Sequence, residues 1–434
     1  MLDREKQNRV VITGYSAIAA TGFNVDSIWD AINQGKSGID KINDWNFSDD
    51  ECQLGAEISG CKLRDLIPNR KLLKVIARHD VFGLNAVQQA LSHSNLLSYR
   101  DQLSDAKEFN DRTGIYVGSP GNMYSQQYDF LPLVDKSDED MIKFGEMLRD
   151  EVHPMWLLGT LPNNVLAYTG IENGFKGPNE NIMTHSSSGM QAVCEAAHAI
   201  QAGKADRAVA VGYAASLEPQ THIYYKKLGL LSDSGIKSFA ANRDGTVIGE
   251  GAACLILESL ESAEQRGAHI YGEILGTAVT CEATGVLAID ADGEGLKRMI
   301  SQTLKASQKK PQDIGMIVAH ANGLINSDAT EANSIKTIFA EHNLPVTGFK
   351  WSLGHTLAAS GVFDIIMSIK SLEEKNVPAI ATCDKIANDC DGINVSNKPQ
   401  KPLASSALVI SRAFAGLNVG AVVSVASDGN YHAR

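Results

Sequence analysis

Thr184-His185-Ser186-Ser187-Ser188-Gly189 runs without a break into Met190-Gln191-Ala192-Val193-Cys194-Glu195-Ala196-Ala197. The small residues predict a turn, the stretch after it predicts a helix, and Ser186 falls at the bend. A strand–turn–helix bend exposes a nucleophile beside free N–H groups and the positive end of the helix dipole. Two histidines lie downstream in equally turn-like settings, His320 and His355. One hydroxyl and two imidazoles in one cleft make an acyl-transfer site.

Outward from that bend the chain alternates strand and helix signals. Arg9-Val10-Val11-Ile12-Thr13-Gly14-Tyr15 reads as a buried strand ending near a glycine, and Asp26–Gln34 as a helix stopped at Gly35. Apolar spacing predicts one long helix over Arg70–Ser92. Thr113–Ser119, Ala208–Gly212 and Ala252–Glu258 read as strands. A new strand at Ile270–Gly276 begins a second series. Helix Glu294–Ser307 and strand Ile314–His320 follow it. A turn at Gly354-His355 enters a helix over Thr356–Glu374, mirroring the turn at Ser186. Strands Ala407–Ser411 and Val419–Ala426 close the chain. The order of elements predicts two similar α/β halves in one body, 1–258 and 259–434, joined near Glu258–Gly267.

Bulk composition narrows the function. The 434 residues exceed a usual single core, and 44% hydrophobic with 21% charged residues is ordinary globular content. A net charge of −12 argues against nucleic acid and against an anionic membrane surface as partners. An acidic partner needs a local basic patch, and Lys62, Arg64, Arg70, Lys71 and Lys74 form the candidate. The seven cysteines are odd in number, widely spaced and without a CxxC pair. That pattern argues against a disulfide framework or a metal site and for a reducing cytoplasm. Met1-Leu2-Asp3-Arg4-Glu5-Lys6 leads into no apolar signal region, and no run of about 18 apolar residues predicts a membrane span.

The chemistry gathers in four more stretches. His320-Ala321-Asn322-Gly323 follows the strand Ile314–Ala319, and a strand's carboxyl end faces the crevice where such sheets hold ligands. Lys350-Trp351-Ser352-Leu353-Gly354-His355 brings the second histidine to a helix start, where the dipole favours neutral imidazole. Lys350 is expected to pair with Glu331 or Asp328. Asn242-Arg243-Asp244-Gly245 and Gly249-Glu250-Gly251 suggest a buried Arg–carboxylate knot that shapes the site without reacting. Arg412-Ala413-Phe414-Ala415-Gly416-Leu417-Asn418 is a small-residue turn that offers a backbone N–H to an oxyanion.

Together these motifs resemble the β-ketoacyl-carrier-protein synthase, or condensing-enzyme, family over nearly the whole chain. The opening Val-Ile-Thr-Gly strand is similar to the family's first strand. Lys176-Gly177-Pro178-Asn179 followed by Thr-x-nucleophile-x-Ser-Gly resembles its nucleophile elbow. The Arg243-Asp244-Gly245 and Gly249-Glu250-Gly251 pair, His320 with Asp328 and Glu331, Lys350 with Gly354-His355, and the Phe414–Asn418 loop fall in the family's order. The resemblance implies a thiolase-like five-layer α-β-α-β-α fold from two similar halves. It implies Ser186, His320, His355 and Lys350 as the catalytic set, with Ser186 and Phe414 at the oxyanion site and gate. Glu331, Asp328, Arg243 and Asp244 support them. It implies an acyl carrier protein as partner, its phosphopantetheine arm as substrate carrier, docking at Arg70, Lys71 and Lys74, and no bound cofactor or metal.

Three departures shape the functional expectation. The family's nucleophilic cysteine is Ser186 here. A serine hydroxyl needs a base, neither downstream histidine is an obvious one, and the adjacent His185 is expected to point away. The family's His-Gly-Thr-x-Thr is His320-Ala321-Asn322-Gly323-Leu324, which lacks two pantetheine-binding hydroxyls. The closing loop replaces two glycines and a threonine. The first reading is therefore a chain length factor-like subunit of a type II polyketide or fatty-acid system. It would form a heterodimer with an active ketosynthase, a homodimer being the alternative. The second reading is an active Ser-variant β-ketoacyl-carrier-protein synthase, natural or by cysteine replacement, or a malonyl-carrier decarboxylase.

Overall fold

Strand β1 (Val10–Ala19) is buried from end to end, as an unbroken apolar run between two packed layers must be. The computed structural model describes residues 8–45, 52–121 and 130–425. The Met1–Lys6 segment and Ala426 fall outside them. A short ribbon, β2 (Asp40–Lys41) and β3 (Leu54–Gly55), stands apart from the main sheet. The N-terminal half adds β4 (Thr113–Gly118), β5 (Asn179–Ile182), β6 (Arg207–Ala214) and β7 (Gly251–Ser259). The C-terminal half adds β8 (Gly272–Cys281), β9 (Met316–Val318), β10 (Pro345–Thr347), β11 (Asn394–Val395), β12 (Ser406–Ala413) and β13 (Leu417–Ser424).

These strands hydrogen-bond in the order β11-β10-β9-β12-β13-β8-β1-β7-β6-β4-β5. Each half is contiguous, and the halves meet where β1 pairs with β8, from Val10–Ile274 to Ile12–Gly272. Helices Ser188–Gln201 and Ser360–Glu373 pack on each other and on strands of both halves, forming the central layer. Helix Arg78–His93 covers β1, β6 and β7 from outside, and helix Glu294–Ser307 covers β8 and β13. The result is the expected five-layer α-β-α-β-α arrangement. One large apolar cluster surrounds the central helices, and a second lies beneath helix Arg78–His93.

The expected long helix over Arg70–Ser92 is two pieces. Arg70–Lys74 is a 3-10 turn, and the α-helix begins at Arg78. The Asp80 carboxylate accepts the Ala77 backbone N–H at 3.0 Å, which starts a fresh helix. Arg78 is drawn inward onto Glu250 at 2.8 Å. A tertiary ion pair and a new cap thus overrule the continuous apolar spacing. Likewise the expected helix Thr356–Glu374 opens with a 3-10 turn, Leu357–Ala359, before Ser360–Glu373. Among the described residues no helix is long and apolar enough to cross a membrane.

Candidate active site

Strand β5 leads through Met183 and Thr184 into a 3-10 turn, His185–Ser187, and then the central helix Ser188–Gln201. Hydroxyls lock this elbow. The Thr184 N–H donates to Ser188 Oγ at 2.9 Å, and Ser188 Oγ–H donates to the His185 carbonyl at 2.7 Å. His185 takes a left-handed backbone, φ 56°, a region histidine enters more readily than most residues. That backbone swings its ring over the neighbouring hydroxyl. His185 Nδ1 shares a hydrogen bond of 2.8 Å with Ser186 Oγ, and its Nε2 shares one of 2.7 Å with the Tyr225 hydroxyl. The expectation that adjacent His185 points away is therefore corrected. The Phe414 ring stacks on His185 with centroids 4.4 Å apart. Burial pushes the His185 imidazole down to about 4, so the ring is neutral near pH 7.

The two downstream histidines meet face to edge, with ring centroids 5.2 Å apart. His320 caps the end of β9. Glu331 fixes its turn by accepting the His320 and Ala321 backbone N–H groups at 2.7 and 2.9 Å. The Arg412 backbone N–H donates to His320 Nδ1 at 3.3 Å, which leaves the neutral ring's proton on Nε2. The His355 backbone N–H donates to the Val247 carbonyl at 2.7 Å, and its Nδ1 meets Ser360 Oγ at 3.1 Å. Both rings titrate well below the ordinary histidine range, first because they are buried and second because of the Lys350 charge. His355 is neutral as expected, with burial as the first cause.

Two expected pairings are corrected. Lys350 pairs with Asp364 at 3.2 Å, not with Glu331 or Asp328. Those carboxylates are engaged by backbone N–H groups: Glu331 as above, Asp328 by Phe239 and Gly323 at 2.8 and 3.2 Å. The arginine knot joins Arg243 to Asp389 at 2.7 Å and to Asp328 at 3.9 Å. Asp244 takes no part in it. Its exposed carboxylate accepts from the Ser232 and Ser234 hydroxyls. Burial pushes the Asp328 carboxyl up to about 7.

A cavity of ≈ 180 Å3 joins His185, Ser186, Tyr225, His320, His355 and Phe414. Its far wall is apolar, from Leu228, Leu230, Val286, Leu287 and Ile289. Lys350 stands behind the histidines and does not line it. Glu282, which the sequence reading missed, accepts from Arg412 and from Asn418, both at 3.1 Å, and braces the closing loop. Tyr225 and Asp364 were also missed, since both sit in helices without a motif. Arg70, Lys71 and Lys74 are exposed on the 3-10 turn outside the cavity, with Arg70 near Asp65 at 3.5 Å. Among the described residues no group of three or more His, Cys, Asp or Glu side chains is placed to hold a metal ion.

A tight strand-to-helix turn at the start of a central helix, between two half-sheets of one five-layer body, defines the thiolase-like class. Within that class the chain belongs to the β-ketoacyl synthase family. Residues 7–263 match the family's N-terminal domain, and residues 271–384 match its C-terminal domain. The chain is 30% identical to 3-oxoacyl-[acyl-carrier-protein] synthase 2 of Synechocystis sp. over 96% of this chain and 98% of that protein. It is 28% identical to the protein of the same name from Coxiella burnetii, over 98% and 100% of the two chains. Among solved structures it resembles the ishigamide ketosynthase/chain length factor in fold, with a TM-score of 0.84 at 22% identity, covering 97% of this chain and 100% of that one. It also resembles a type II polyketide acyl carrier protein in complex with its ketosynthase bound to the hexaketide. There the TM-score is 0.83 at 26% identity, over 97% of this chain and 100% of that one.

Proposed function

We propose that this chain is a non-condensing, chain length factor-like partner of a cysteine-bearing ketosynthase in carrier-protein-bound acyl elongation. The observation that carries the reading is Ser186, an oxygen at the elbow of a scaffold that otherwise keeps its histidines, lysine and cavity. An acyl chain on that oxygen is an oxyester. Oxyesters are less electrophilic than thioesters, so a carbanion attacks them poorly and condensation stalls. The apolar wall bounds the chain held by the partner, and the phosphopantetheine arm reaches the cavity from a carrier protein docked near Arg70, Lys71 and Lys74. A partner subunit is supported by the sheet edge. Strand β5 ends the sheet, and Ile171 and Met183 beside it are 72% and 56% exposed. Exposed apolar side chains along an unpaired edge strand mark an association surface. Co-expression with a cysteine-bearing ketosynthase from the same genome tests this. A stable 1:1 complex that elongates a primer supports the reading. A homodimer that ignores the ketosynthase, or elongates a primer alone, overturns it.

A second reading rests on His320 and His355. Two neutral imidazoles held edge to face can accept the developing enolate charge of a decarboxylating malonyl unit without any nucleophile. Release of CO2 from malonyl-carrier protein by the chain alone, lost in His320→Ala, supports it. Absence of that release removes it.

A further inference from the structure

We propose that Ser186, His185 and Tyr225 form a hydrolytic relay that clears acyl chains from carrier-protein thioesters. This goes beyond the partner role and does not depend on it. The relay is a nucleophile, a base and an orienting group in hydrogen-bond contact, which is the geometry that activates a serine hydroxyl. Ser186 Oγ lies 2.8 Å from His185 Nδ1, and His185 Nε2 lies 2.7 Å from the Tyr225 hydroxyl. All three side chains line the one cavity. In the tautomer that accepts the serine proton at Nδ1, Nε2–H donates to the Tyr225 oxygen. Phe414 stacks on the ring and holds it in that plane. The phenol itself stays protonated, because burial raises it well above its ordinary value. It orients the imidazole and carries no charge.

The chemistry balances without any further reagent. Ser186 Oγ attacks the thioester carbon as its proton passes to His185 Nδ1. The carbon–sulfur bond breaks, and the proton leaves on the pantetheine thiol. The same nitrogen then takes a proton from water, whose oxygen attacks the acyl-serine. The carbon–Oγ bond breaks, the proton returns to Ser186, and a free carboxylic acid departs. The backbone N–H groups of Ser186 and Phe414, each in the first turn of a 3-10 segment, are left over for the oxyanion. The poor electrophilicity that blocks condensation is no obstacle here, since acyl-serines with a neighbouring imidazole are hydrolysed as a matter of course.

The test uses the full chain with hexanoyl-loaded acyl carrier protein and hexanoyl-pantetheine as probes. Released hexanoate and the intact-protein mass are read by mass spectrometry. Wild type is expected to release hexanoate and to carry a transient hexanoyl group on Ser186. Ser186→Ala abolishes both. His185→Ala lowers release by about 10²–10⁴-fold. Tyr225→Phe acts through His185, so it lowers release by about tenfold and displaces the acid limb of the pH profile. The titratable rings around His185 are Tyr225, His320 and His355, the last two held well below the ordinary histidine range by burial, and the charged groups lining the same cavity are Glu282 and Arg412. Thermal unfolding confirms that each variant is folded, and His185→Gln replaces His185→Ala where the latter is not. Equal release by wild type and Ser186→Ala overturns the proposal, as does an adduct on any other residue. Complex formation with the ketosynthase is scored separately, so either proposal fails without the other.

Discussion

The two halves of the molecule build the same elbow twice, and only the first has polar side chains in the turn itself. In the first, a 3-10 turn His185–Ser187 enters the helix Ser188–Gln201. In the second, a 3-10 turn Leu357–Ala359 enters the helix Ser360–Glu373. Both helices have 14 residues and begin Ser-Gly. Both turns begin with a left-handed residue, His185 at φ 56° and Leu357 at φ 44°. In that register Ser186 matches Ala358, not His355 as the sequence order suggests. Leucine gains nothing chemically from a left-handed backbone, which costs it roughly 1–3 kcal/mol. The strain therefore belongs to the scaffold, which crosses two central helices at their N-termini. A Cβ on Gly189 would run into the Ala358 carbonyl, and one on Gly361 would lie 2.5 Å from Met190 Cβ. The first elbow uses this inherited geometry to aim an imidazole at a hydroxyl.

That comparison breaks most visibly at the glycines. Gly189→Ala meets backbone and is expected to cost about 3 kcal/mol or more, whereas Gly361→Ala meets a side-chain carbon first and costs about 2 kcal/mol. Denaturant midpoints measure both, and the reverse order would show that the two crossings are not equivalent. The second half also buries a titratable carboxyl beside its histidine turn. The His320 turn rests on Asp328, whose carboxyl titrates near 7 in the folded chain. Its unfolded value is about 3.9. The folded state thus holds the extra proton between these values. The stability this group supplies is complete below about pH 4 and is lost as pH rises through 7. Asp328→Asn removes that fall, by up to about 1.4 kcal/mol per pH unit, in stability curves taken from pH 4 to 7. A slope identical to wild type would mean that Asp328 is ionised throughout.

A subtler change turns the first elbow into the second. His185→Leu with Ser186→Ala is expected to cost about 1–3 kcal/mol, since the left-handed backbone strains leucine and the buried Tyr225 hydroxyl loses its partner, while hexanoate release falls to the Ser186→Ala background. Thermal unfolding and product assay read the two together. If this variant unfolds, the His185 hydrogen bonds, not the helix crossing, hold the turn. The smallest effect is at the surface. Lys71→Glu leaves stability within about 0.5 kcal/mol and weakens carrier-protein binding about fivefold, as read by titration calorimetry. Unchanged binding removes this patch as the docking site.

The sequence by itself determined eight of the strands but not β2, β3, β5, β10 or β11, together with the central helices, the elbow at Ser186 and the ends of strand and turn that carry His320 and His355; the elbow it expected to be exposed is buried, with Ser186 3% exposed. Apolar runs, glycines and small-residue turns act over a few neighbouring residues, so they are legible without a fold. The same local rules failed at Val75–Ala77, where Asp80 and the distant Glu250 divide one apolar pattern into two pieces. Tertiary structure alone decided which polar atoms meet. Lys350 found Asp364 because Glu331 and Asp328 were already taken by backbone N–H groups of the His320 and Phe239 turns. His185 turned toward Ser186 because the helix crossing imposes a positive φ, and no neighbouring residue announces that sign. Tyr225 entered the relay from a helix 40 residues further on. Burial makes each of these choices, since a polar group withdrawn from water must find its partner wherever the packed layers place one.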